Sequence, residues 1–298
     1  MIYFVLFLYA ILLFFFIELR IITLNPHFTL FYSFKDLYNY FKYKQWRNCR
    51  KDGRIDAYTG LFGKGKTLSA VHYVTSLYDR YNNKLVYDFT RKKWVVQKIM
   101  ILSNVHLNGY PYTYLTSLSQ IVSVSNQIID LDNKNDTKTY TFALCDEMSV
   151  QMNSRDFKNN IDSLFLNSLL TCRHYRMGLV YTAQRFCDVD ALLRRVTSHV
   201  ISCDKKWRLM VHKVYDANEC ENATNILLVK PIRRMGWFVR DKHFDVYDTL
   251  ACVENLKKDS ANGVMLSETE ILNNIAFTPN DDGIIRRSYK YKKLRKVQ

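Results

Sequence analysis

Gly60, Gly63 and Gly65, followed directly by Lys66 and Thr67, constrain this chain more than any other feature. Their spacing fits G-x-x-x-x-G-K-[ST] at every fixed position, a pattern that demands a strand before it and a helix after it. Arg54-Ile55-Asp56-Ala57-Tyr58 supplies the incoming strand, and Leu68 to Val74 continues as a helix without Gly or Pro. Glycines there let successive N–H groups turn inward at a helix N-terminus, where they cradle an anion. The implied ligand is a nucleoside triphosphate. Lys66 then reaches its β- and γ-phosphates, and the Thr67 hydroxyl holds Mg²⁺. Lys64 either touches phosphate or is a solvated loop residue.

With 298 residues, 48% of them hydrophobic, the chain can bury a full core, and about 200 residues between its ends suit one domain. A net charge of +15 points to a polyanion or an anionic membrane surface as partner. The seven cysteines include no C-x-x-C pair, which fits a reducing compartment without a disulfide framework or zinc site.

Ile2 to Ile17 is an unbroken apolar run, somewhat shorter than the roughly 20 residues of a spanning helix. Leu19, Ile21 and Ile22 extend it if Glu18 and Arg20 snorkel. No Lys or Arg precedes the run and no small-x-small cleavage site follows it, which argues for an anchor over a signal peptide. Basic residues follow it, so the remainder of the chain is expected on the cytoplasmic side. Residues 27 to 50 interleave aromatics with Lys and Arg. They suit an amphipathic helix on the inner leaflet, or a grip on single-stranded nucleic acid.

Further on, residues 98 to 104 read as a second strand before the turn Asn108-Gly109-Tyr110-Pro111, and Asp130 to Lys138 as an exposed loop or insertion. Tyr140 to Cys145 is a buried-strand pattern that ends in Asp146-Glu147. Asp146 would support Mg²⁺ beside Thr67, and Glu147 would polarise the attacking water. A third strand, Gly178 to Thr182, ends in Ala183-Gln184, where Gln184 can sense the γ-phosphate or its water, or cap the strand. Arg173 and Arg195 flank this strand and are candidates for a contact with a neighbouring subunit's γ-phosphate, with ion pairing or DNA contact as the other readings.

Taken in order, these pieces resemble the Zot-like (zonula occludens toxin-like) assembly ATPases of filamentous phages, within the wider FtsK/HerA group of P-loop motors. The resemblance spans roughly residues 54 to 250. It adds Gln151 and Arg155 after Asp146-Glu147, the run Arg173 to Gly178, and Phe244-Asp245-Val246-Tyr247-Asp248-Thr249. It implies a ring of about six subunits with ATP and Mg²⁺ as ligands. It also implies DNA and phage coat or envelope proteins as partners. Those phage proteins carry their membrane span after the ATPase domain, whereas here the apolar run precedes it, as in FtsK-like DNA pumps and conjugation coupling proteins.

The expected fold is therefore α/β, a P-loop NTPase with a mainly parallel sheet between helices, preceded by an N-terminal transmembrane helix. The expected division is an anchor over 1–22, a basic aromatic segment over 23–52, an ATPase domain over 53–250, and a connector with a basic tail over 251–298. The expected location is the host inner membrane, crossed once, with the ATPase domain cytoplasmic. The basic tail with Tyr289 and Tyr291 suits nucleic acid, a membrane surface or no specific partner. A DNA packaging or conjugative translocase, and a nucleotide-switched scaffold without motor activity, remain the alternatives.

Overall fold

A computed structural model describes residues 9, 16–117, 119–148, 174–223 and 228–247. The apolar run up to Phe15 lies almost entirely outside them, as do Gln151, Arg155, Arg173, Asp248, Thr249 and the connector and tail. Among the described residues, no helix is long and apolar enough to cross a membrane.

Among the described residues, nine strands form one mixed sheet: β1 (Ile55–Thr59), β2 (Lys84–Asp88), β3 (Lys93–Ser103), β4 (Thr113–Tyr114), β5 (Thr137–Cys145), β6 (Met177–Ala183), β7 (His199–Lys206), β8 (Leu209–Asp216) and β9 (Arg233–Phe238). Their order is β2-β3-β5-β6-β1-β7-β8-β9, with β4 beside β3. The middle five, β3-β5-β6-β1-β7, are all parallel. The outer pairings β2–β3, β7–β8 and β8–β9 are antiparallel. The sheet is thus parallel at its centre, as expected, and gains antiparallel flanks that the apolar runs did not show.

The helices are α1 (Ile17–Leu24), α2 (Pro26–Lys42), α3 (Lys66–Tyr81), α4 (Ser119–Asn135), α5 (Ala191–Val196), α6 (Ala217–Asn222) and α7 (Asp241–Phe244). Every residue of β1 and β6 is buried, as strands covered on both faces require. Their side chains alternate between two cores. Ile55, Ala57, Leu179 and Tyr181 join Ile121, Val124 and Ile128 of α4, whereas Tyr58 and Val180 join Ala70, Val71 and Val74 of α3. Neither α1 nor α2 contributes a buried residue.

One expectation is corrected here. The polar stretch from Asp130 is not a loop but the last turns of α4, and only Asp136 separates that helix from β5. Its polarity has a local cause. Asp132 is buried and accepts hydrogen bonds from the Thr137 and Thr139 hydroxyls (both 2.7 Å) and the Thr139 N–H (2.8 Å), and it pairs with Arg176 (2.6 Å). A fully partnered carboxylate can sit in a core, and composition alone does not distinguish it from a loop residue.

Candidate nucleotide site

At the end of β1 the chain turns sharply into the loop Gly60 to Thr67. Gly60 has φ of 152°, and a Cβ there would stand 3.0 Å from the Cys203 carbonyl oxygen. Its N–H donates to the Gln184 carbonyl (3.2 Å), which ties the loop to the end of β6. Gly65 caps α3 with φ of 77°, where a Cβ would meet Met210 Cε at 2.7 Å. Both positions therefore disfavour a side chain by backbone angle, and Gly60 also by its approach to a backbone oxygen that cannot move aside. The loop ends where the unpaired first N–H groups of α3 begin, a site suited to phosphate.

Beneath the loop, Asp146 is buried at the end of β5 and held from several elements. Thr67 Oγ1, in the first turn of α3, donates to both carboxylate oxygens (2.8 and 3.0 Å). Thr182 Oγ1, at the end of β6, donates to Oδ1 (2.6 Å). On β5's other side, Asn104 accepts from the Asp146 N–H (2.8 Å) and donates to its carbonyl (3.2 Å). The side chain of Asp146 is thus fixed by hydroxyls and its main chain by an amide. A hydroxyl and a carboxylate in contact are the hard oxygen donors Mg²⁺ prefers, so the pair fits that ion.

Glu147 follows in the left-handed region, with φ of 54°, and is exposed. Its N–H donates to Thr182 Oγ1 (2.9 Å), so one threonine positions both acidic residues. A non-glycine residue held at such an angle is uncommon, and residues of this kind cluster at functional sites.

The lysines differ. Lys66 Nζ lies 3.4 Å from the Leu61 carbonyl and over the Phe62 ring at 5.6 Å, inside the loop's own curve. Lys64 instead pairs with Asp204 on β7 (2.7 Å), and that contact holds the Asp204 carboxyl below its usual range.

Gln184, half-buried just past the end of β6, is fixed by its main chain, whose carbonyl accepts from the Gly60 N–H. Arg195 is exposed in the last turn of α5, just before Ser198, whose N–H donates to the Ile55 carbonyl at the start of β1 (2.7 Å). Its neighbour Arg194 is structural, forking onto Glu221 (2.5 and 3.0 Å) and donating to the Cys187 and Val189 carbonyls. Tyr247 returns from the far end of the chain to bridge Leu107, and burial together with the Asp146 charge pushes its phenol up to about 12.

Sequence reasoning missed Thr182 as the shared hydroxyl, Asn104 as the main-chain clamp, and Asp204 as the partner of Lys64. Thr182 and Asn104 did carry a signal: each is the polar residue where an apolar strand stops.

The described residues thus build a mixed α/β fold in which the loop Gly60 to Thr67 joins the central strand β1 to α3. No family profile and no curated protein matches the chain. Among solved structures, the N-terminal domain of zonular occludens toxin from Neisseria meningitidis is 15% identical, covering 65% of this chain and 98% of that one, with a TM-score of 0.40. The genome packaging NTPase B204 from Sulfolobus turreted icosahedral virus 2, in complex with ATP-gammaS, is 16% identical over 56% and 94%, with a TM-score of 0.35.

Proposed function

We propose that this chain is a membrane-anchored ATPase of phage morphogenesis that couples ATP hydrolysis to virion assembly and export of phage DNA through the host inner membrane. The observation that carries the ATPase part is the Thr67–Asp146–Thr182 contact set beneath the loop, with Glu147 presented beside it. Loop N–H groups and Lys66 bind and orient the β- and γ-phosphates. Thr67 and Asp146 would hold Mg²⁺, which when bound would neutralise charge developing on the phosphoryl oxygens. Glu147 orients the attacking water and takes up its proton, and Gln184 reads the terminal phosphate or its water. Arg173 and Arg195 are assigned to a neighbouring subunit's phosphate in a homo-oligomeric ring of about six subunits.

The apolar run before α1 supports a single span, and the charge of +15 supports contact with DNA and anionic lipid. The test is ATP turnover by the detergent-purified full chain, with and without single- and double-stranded DNA, using Lys66→Ala as the blank. Turnover stimulated by DNA favours a packaging or conjugative translocase. Turnover indifferent to DNA and raised by coat or envelope proteins favours assembly. Binding without turnover in the wild type would leave a nucleotide-switched scaffold.

A further inference from the structure

The hairpin β2–β3 leaves one face uncovered. Val86, Asp88, Val95 and Gln97 are buried, so their alternates stand on the other side of the ribbon. There Leu85 lies opposite Val96 and Tyr87 opposite Trp94. Trp94 is 41% exposed, and Phe89, at the tip, is 51% exposed. A contiguous apolar face on a sheet edge marks an interaction site.

This face is continuous with the N-terminal helices. Tyr43, just past α2, stacks on Tyr87 (4.3 Å) and meets Phe89 edge-on (5.2 Å). Gln97 fixes the junction: its Oε1 accepts from the Cys49 N–H (2.8 Å), and its Nε2 donates to the carbonyls of Arg47 (3.2 Å) and Tyr81 (2.8 Å). Tyr43 and the outer face of the hairpin therefore share one surface at the end of α2, beside the exposed Lys42, Lys44 and Lys92. The acidic groups of the hairpin are engaged, Asp88 with Arg91 and Lys138, and Asp136 with Lys93, whereas α2 carries one exposed acidic residue, Asp36, among its aromatics and lysines. Because β3 begins at the hairpin tip and runs parallel to β5, β6 and β1, the tip lies at the opposite end of the sheet from Gly60 to Thr67.

We infer that α2 and the outer face of the β2–β3 hairpin together rest on an anionic phospholipid surface, a second contact that turns the nucleotide edge away from the bilayer. Aromatic rings at headgroup depth and lysines that reach lipid phosphates are the chemistry of that interface. The apolar run, which leads directly into α1, sets a membrane beside this end of the molecule. The inference rests on the membrane part of the proposed function.

The experiment places the full chain in vesicles of phosphatidylcholine and phosphatidylglycerol carrying brominated acyl chains. Tryptophan emission is compared between the wild type and Trp94→Phe, a substitution that keeps the ring. The expected result is quenching by bromolipid with a component that Trp94→Phe loses. Capture by vesicles with equal quenching in both proteins would overturn this second contact and leave the anchor standing. No capture at all would overturn the membrane reading and this inference together. Trp94 emission quenched by an oligothymidylate, and not by bromolipid, would assign the surface to single-stranded DNA instead.

Discussion

The central strands and the flanking strands of this sheet are built on different terms. In the centre, β1, β5 and β6 are buried on both faces, and their carboxyl ends converge on a few polar side chains that satisfy one another. On the flanks, β2, β8 and β9 alternate or are largely exposed, and they leave Phe89, Leu209 and Phe238 in solvent. The difference teaches that the two regions fail differently. A change at the central edge removes chemistry while the fold stays intact, whereas a change on a flank alters contacts, stability or loop position and leaves the chemistry in place.

The largest effect should come from Lys66→Ala. Losing the one lysine curled within the loop should abolish nucleotide binding and take turnover down by about 10²–10³-fold or more. Nucleotide titration and steady-state turnover read both, and near-normal turnover would remove the loop from catalysis. Next comes Glu147→Gln, which keeps the Thr182 contact through the main chain. Binding should persist while hydrolysis falls on the order of 10²-fold, as loss of a positioned base predicts. An unchanged kcat would show that its left-handed backbone serves another purpose.

A flank prediction concerns stability. His72 on α3 stacks on Trp237 of β9 at 3.8 Å, with His243 of α7 beside both. Burial first, then repulsion from His243, Lys242 and His212, lowers the His72 pKa to about 4. Because the folded value lies below the ordinary 6.5, the unfolded chain takes up the proton first as pH falls. This contribution is complete above about pH 6.5 and is lost towards pH 4, a change of roughly 1–3 kcal/mol after allowing for solvent screening. Melting temperature should therefore drop by several degrees between about pH 7 and about pH 5, and His72→Phe should flatten that slope. Equal slopes in the two proteins would mean that β9 is held by something other than this stack.

The same contrast governs what could be read from sequence. Phosphate loop, acidic strand end and central strands were legible because continuous apolar runs and fixed glycine spacing report local requirements. The flanks were not, since Leu85, Trp94 and Val96 are apolar residues left in solvent, which reverses the rule that pattern reading uses. Asp132 misled in the opposite direction, as a carboxylate buried by partners that lie five to forty-four residues away. At the site, Asp146 was found from its place after an apolar strand. The hydroxyl that holds it, Thr182, belongs to a strand 36 residues later, and only the parallel pairing of β5 with β6 brings the two together.

Lys64 and Asp204 give the smallest and sharpest test, because this pair joins the phosphate loop to β7, where the antiparallel flank begins. Their side chains are 43% and 42% exposed, so the ion pair is screened by solvent and adds little to folding. Its effect should fall on the loop. Asp204→Asn frees Lys64 and removes a negative charge that stands near incoming phosphates. The KM for ATP should therefore fall by about 2–5-fold, equivalent to under about 1 kcal/mol, with kcat and melting temperature nearly unchanged. An unchanged KM would make Lys64 a surface lysine and leave phosphate contact to Lys66 alone. A raised KM would mean that Asp204 holds the loop in its binding shape, in which case the flank takes part in the chemistry and the division between the two regions fails at this strand.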